Sequence, residues 1–283
     1  MGLSVGEGMN VEGVASEGRA SAEDTLAEAE VDYPGQVSPV SPWIQVVELA
    51  WRPELGFFER RPGLLRRLEG LGLLSQFNWA EDAVTVKIED YAAVRVSVNG
   101  AIAWVTGPSA GVDRARRVLT ASLHDLKPQK VVFADTRLRY LAPIATAPKE
   151  AQRRSAQRIV GRTWADGYPT DWALLLDGFS ERTRSAFQVE YGIVTPDEVR
   201  IRYSRPVGRI GRDTPVIDPD LENLPESAVF LDWFWRGGVR IEGDPAQGVV
   251  ERWDALLSES ERLSVEICDQ IIPGYTGGVK EQA

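Results

Sequence analysis

One cysteine and one histidine in 283 residues remove whole classes of chemistry. Cys268 has no second thiol to pair with, which excludes an intramolecular disulfide framework and any multi-thiolate metal site. A Ser-His-Asp triad, a Cys-His pair or a histidine metal site would each have to run through His124. His124 falls near the end of an expected helix, beside Asp125, where an imidazole interacts favourably with the helix dipole. Cys268 follows Ile267 on an expected amphipathic helix and reads as a packing thiol.

Long apolar runs are missing as well. None approaches the roughly eighteen residues that span a bilayer, and the first residues offer neither a basic n-region nor an apolar h-region. A cytoplasmic protein with no membrane partner is the expectation. Met1-Gly2-Leu3-Ser4-Val5-Gly6 opens like a myristoylation signal but has Gly6 where Ser or Thr is needed. Lysine is scarce: Lys87, Lys127, Lys130, Lys149 and Lys280 are the only ones among 32 basic residues. The arginine surplus fits a GC-rich gene with arginine codons in excess better than it fits planar recognition of phosphate or carboxylate.

What is present begins with acid. The net charge is −10, which argues against non-specific coating of nucleic acid, since that needs a basic surface to displace condensed counterions. Most of the excess sits in residues 1–41, where Glu7, Glu12, Glu17, Glu23, Asp24, Glu28, Glu30 and Asp32 face only Arg19. That segment is rich in Gly, Ser and Ala and has no apolar period, so it reads as a disordered acidic tail. Residues 273–283 read as a second flexible tail. The length lies where single cores begin to divide, and the pattern suggests two lobes, 42–145 and 146–272.

In the first lobe, Trp43 to Trp51 is apolar at nearly every position, as in a strand covered on both faces. Phe57, Phe58, Leu64, Leu65, Leu68 and Leu71 follow at helical spacing, with Pro62 expected in the first turn. From Val84 the period becomes two, and Asn99-Gly100 between alternating runs predicts a type I′ hairpin. A helix from Ser109, striped by Val112, Ala115, Leu119, Leu123 and Leu126, precedes a strand from Lys130 to Leu141. This order of elements predicts an α+β lobe of the ferredoxin-like, split βαβ kind, with its helices on one face and one extra strand.

Residues 142–182 are expected to connect the halves through a helix over 149–160 and a Trp-bearing loop. The second lobe reads as a smaller antiparallel sheet with a long C-terminal helix. Phe187, Val189, Tyr191 and Ile193 alternate, and so do Val199, Ile201 and Tyr203, which predicts a hairpin about Thr195-Pro196-Asp197. A four-proline loop spans 204–225, and Ala228 to Arg236 forms another strand. Asp244, Pro245 and Gln247 mark the start of the last helix, striped from Val250 to Ile271.

Few motifs carry chemistry. Asp218, Asp220 and Glu222 sit at alternate positions, but Pro219 and Leu221 break the calcium-loop pattern and its glycine is absent. Asp177 and Asp232 flank apolar segments. Val207 to Gly211 holds two glycines without the Gly-Lys-Ser/Thr of a phosphate cradle. Nine tryptophans read as core between lobes, with a ligand-stacking platform as the alternative. Arg200, Arg202, Tyr203, Arg205, Arg209 and Arg212 contain no acid, and on a strand they would form a basic strip opposite the core.

Val46-Val47-Glu48-Leu49, Leu138-Arg139-Tyr140, Phe230-Leu231-Asp232 and the run from Trp253 to Ile271 resemble a sporadically distributed family of two-lobed bacterial proteins. The family's usual glycine before Leu-Arg-Tyr is Arg137 here, and an asparagine two residues after it is Ala142. The resemblance carries over no activity. The family's patchy distribution implies an accessory role in defence or mobile-element systems.

These residues point to a non-catalytic interaction protein that presents a sheet face or the Arg200–Arg212 strip to a protein partner. No catalytic residue, cofactor or metal is assigned. One alternative is nucleic-acid binding through the strip, with metal-dependent cleavage by acids such as Asp218 and Asp220. The other is an enzyme working on a small molecule in a Trp-lined junction between lobes.

Overall fold

A computed structural model describes residues 42–88, 92–106, 109–144, 147–160, 172–203 and 224–272. All of them belong to one of the chain's two compact units, the one from Tyr33 to Ala283. The expected acidic tail and the last eleven residues lie outside the described residues.

Among the described residues the fold is α+β, one antiparallel nine-stranded sheet with five helices. The chain runs β1 (Pro42–Ala50), α1 (Phe57–Gly70), β2 (Gln76–Trp79), β3 (Ala83–Ile88), β4 (Ala92–Ser97), β5 (Gly100–Thr106), α2 (Ser109–Leu126) and β6 (Val132–Pro143). It continues with α3 (Pro148–Val160), β7 (Trp172–Ser180), β8 (Ser185–Val194), α4 (Pro196–Tyr203), β9 (Ala228–Arg240) and α5 (Pro245–Ile271). The strand order is β2-β3-β4-β5-β1-β6-β9-β8-β7. The valine-rich β1 is central, as its unbroken apolar run requires, and the β6–β9 ladder joins the two halves of the chain into one sheet.

Alternation along each strand gives the sheet two unlike faces. The near face carries α1, α2, α3 and α5 over a large core that includes Val47, Leu49, Phe133, Leu138, Trp233 and Trp253. Two indole N–H groups are matched across the interface: Trp233 and Trp235 donate to Ser264 and Ser260 of α5, at 2.8 and 2.6 Å. Trp253 of α5 donates to Gln45 of β1 at 2.9 Å. The far face carries α4, whose Val199 packs with Ile44, Val46, Trp104, Val194 and Phe230.

Four expectations change. The β4–β5 hairpin forms, but Ser97 pairs with Gly100, so Val98 and Asn99 make the turn and neither has positive φ. The carbonyls of Val98 and Asn99 accept from the backbone N–H of Glu54 and Trp51 instead, and Gly100 is needed because a Cβ there would lie 2.5 Å from the Leu49 carbonyl oxygen. Helix α1 starts a turn before Pro62, anchored by the fully buried Phe57. Strand β7 arises within the stretch expected to connect the halves, and β2 where no element was assigned. The largest change is at Val199 to Tyr203, which is helix rather than strand. Thr195 and Glu198 form a capping box: the Thr195 N–H donates to the Glu198 carboxylate at 2.6 Å, and the Glu198 N–H faces Thr195 Oγ1 at 3.5 Å. The hairpin partner of β8 is therefore β7.

Candidate functional site

Directly paired residues share a sheet face, so the registers define the far face from β6 to β7. Asp135, Arg137 and Arg139 come from β6, Asp232, Phe234 and Arg236 from β9, Gln188 and Glu190 from β8, and Leu175, Asp177 and Phe179 from β7. At its centre Asp232 is buried and accepts from Arg137 Nε at 2.6 Å and Arg139 Nε at 3.0 Å, with a further bond from Arg137 Nη2. A carboxylate held this way is a structural anchor, with both oxygens engaged by guanidinium groups.

Toward β7 the face opens to solvent. Leu175 is 62% exposed and Phe179, which also borders a cavity beside α5, 58%. Between them Asp177 accepts from Gln188 Nε2 at 3.2 Å and lies 3.7 Å from an Arg236 guanidinium nitrogen.

A second cluster lies on the near face, where an open cavity of about 430 Å³ separates the β7–β8 hairpin from α5. The buried Glu259 accepts from Ser180 Oγ at 2.9 Å and from Arg262 through both oxygens, at 2.9 and 3.0 Å. The Arg262 bonds hold the Glu259 carboxyl below the usual carboxylate range. Ser180 Oγ also takes the Thr183 N–H at 3.2 Å and closes the hairpin turn.

Of the expected basic strip, Arg200 is exposed on α4 and pairs with Asp197 at 2.8 Å. Arg202 and Tyr203 end that helix, and their side chains lie outside the described residues, as do Arg205, Arg209 and Arg212. Asp218, Asp220 and Glu222 also lie outside the described residues. His124 is exposed and bonded to Arg67 and Asp125, at 2.8 and 3.1 Å, while Cys268 is fully buried in α5. Trp233, Trp235 and Trp253 are at most 1% exposed and hold no surface for a ligand. Among the described residues no group of three or more His, Cys, Asp or Glu could hold a metal ion, and no helix is long and apolar enough to cross a membrane.

Leu175 and Phe179 were not legible as site residues because β7 was not. Its signal is the Leu174-Leu175-Leu176 run ahead of the turn at 181–184. No protein-family model matches the chain, and no curated protein matches it.

Proposed function

We propose that this is a non-catalytic interaction protein whose contact surface is the β7 end of the far face. The exposure of Leu175 and Phe179 beside the Asp177–Arg236 pair carries the reading. Both side chains would be removed from water by a partner, and the adjacent charges would fix its register. The partner is a protein rather than a nucleic acid, since Asp135, Asp177, Glu190 and Asp232 interleave with Arg137, Arg139 and Arg236 and leave no basic excess for phosphate.

The order β4-β5-β1-β6, with α1 and α2 on one side, supports reading residues 42–145 as a ferredoxin-like split βαβ lobe. Residues 146–272 then form a second antiparallel lobe that extends its sheet and supplies the contact surface. The test is affinity purification of the tagged chain from its native cells, alongside the double variant Leu175→Glu/Phe179→Glu and the single variant Arg200→Ala. The double variant is expected to lose specific partners that the wild type and Arg200→Ala retain. Identical partner sets for wild type and double variant refute the reading.

A further inference from the structure

The two edges of the sheet are treated differently. β2 is four residues long, and Arg61 lies over Trp79, with its guanidinium carbon 3.9 Å from the ring centroid. Arg61 also donates to the backbone carbonyls of Ala80 and Glu81, at 3.0 and 3.2 Å. A short strand overhung by a cation is a guarded edge. β7 is nine residues long and pairs with β8 without a register shift from Trp172 to Ser180. It contains no Pro, Lys or bulge, and among the described residues no strand pairs with its outer side. Its one charged residue, Asp177, is matched from within the chain by Gln188 and Arg236.

We infer that the outer edge of β7 pairs antiparallel with the β7 of a second copy of this chain, about a twofold axis through Leu176. The contact adds the backbone edge and Leu176, which is 47% exposed on the near face, to the far-face residues Leu175 and Phe179, and so extends the surface proposed above. About that axis large residues meet small ones: Ala173 stands opposite Phe179 of the second copy, and Leu174 opposite Gly178. Leu176 meets its own counterpart, and Leu175 stands opposite Asp177. Because each Asp177 is already matched within its own chain, the two copies bring no unmatched charge together. Twofold pairing satisfies both edges at once and closes the assembly, whereas a head-to-tail contact would leave one edge open to further addition. The resulting sheet runs continuously through both copies, and their two far-face surfaces lie on one side of it.

The position of the axis makes the test specific. Opposed residues of an antiparallel pair have Cα atoms about 4.5–5.5 Å apart, within disulfide range. Leu174 would be about 13 Å from its own counterpart, four residues along the strand. The expected results are twice the chain mass by light scattering at micromolar concentration, a chain-to-chain disulfide on mild oxidation of Leu176→Cys, and none from Leu174→Cys or wild type. Leu176→Lys places two ammonium groups on the axis and is expected to give a monomer with an unchanged circular dichroism spectrum. A monomeric wild type overturns the inference, as does a dimer that survives Leu176→Lys or crosslinks equally through Leu174→Cys. A monomeric wild type that still holds partners lost by Leu175→Glu/Phe179→Glu leaves the far-face reading standing.

Discussion

Replacing Asp232 with alanine tests whether the far face is organised around its buried carboxylate. The side chains of Asp232 and Arg139 are each only 4% exposed, and that of Arg137 is 30% exposed. Asp232→Ala removes the acceptor of three guanidinium hydrogen bonds while the arginines stay fixed on β6 by the ladders to β1 and β9. Breaking a buried ion pair from one side costs about 3–5 kcal/mol. In a domain of this size each kcal/mol moves the midpoint by about 2–4 °C, so a fall of about 6–20 °C in Tm is expected. Thermal unfolding by circular dichroism, with urea melts to check that the m-value holds, measures it. Replacing charge by apolar volume should recover much of the loss, so Asp232→Leu combined with Arg139→Met is expected to be more stable than Asp232→Ala. A loss below about 1 kcal/mol for Asp232→Ala would refute the reasoning, because that is the value of an exposed pair.

Three further outcomes are expected. Thr195→Ala removes the hydroxyl that caps α4 and should cost about 1 kcal/mol in urea unfolding. Gly237→Ala should yield little folded protein, since a Cβ there would lie 1.4 Å from the Ala134 carbonyl oxygen, where β9 crosses the irregularity in β6. The neighbouring carboxylates of α5 should respond in opposite senses. Hydrogen bonds from Arg262 lower the Glu259 pKa, so its stabilisation is present above the unfolded value of about 4.3 and is lost as pH falls through the folded value. Burial raises Glu261, so its charged form opposes folding as pH rises. At neutral pH, melts should show Glu259→Gln lowering Tm and Glu261→Gln raising it, both differences shrinking toward pH 3.

The elements with strong local signals were legible. Asp244 caps α5 by accepting the Ala246 N–H at 3.0 Å, and Pro245 opens the helix, as their order implied. The apolar run of β1 implied its central place, because only a strand covered on both faces tolerates Ile44, Val46, Val47 and Leu49 together. α4 was misread because Val199, Ile201 and Tyr203 alternate like a strand while the capping signal Thr195-x-x-Glu198 precedes them; Ile201, at 59% exposure, belongs to no core. β7 was missed for the opposite reason. An edge strand buries little, so its apolar residues follow no alternation, and Leu175, Leu176 and Phe179 read as an irregular run. The features that now define the candidate surface are therefore the ones that packing did not shape.

Hydroxyl-radical labelling, read by mass spectrometry on the chain with and without its co-purified partner, tests the contact surface most directly. Phe179 and Leu175 should label strongly in the isolated chain and be protected in the complex. Phe58 and Phe77, exposed at the opposite end of the sheet, should label equally in both. Protection of Phe58 and Phe77 with Phe179 unchanged would contradict the account.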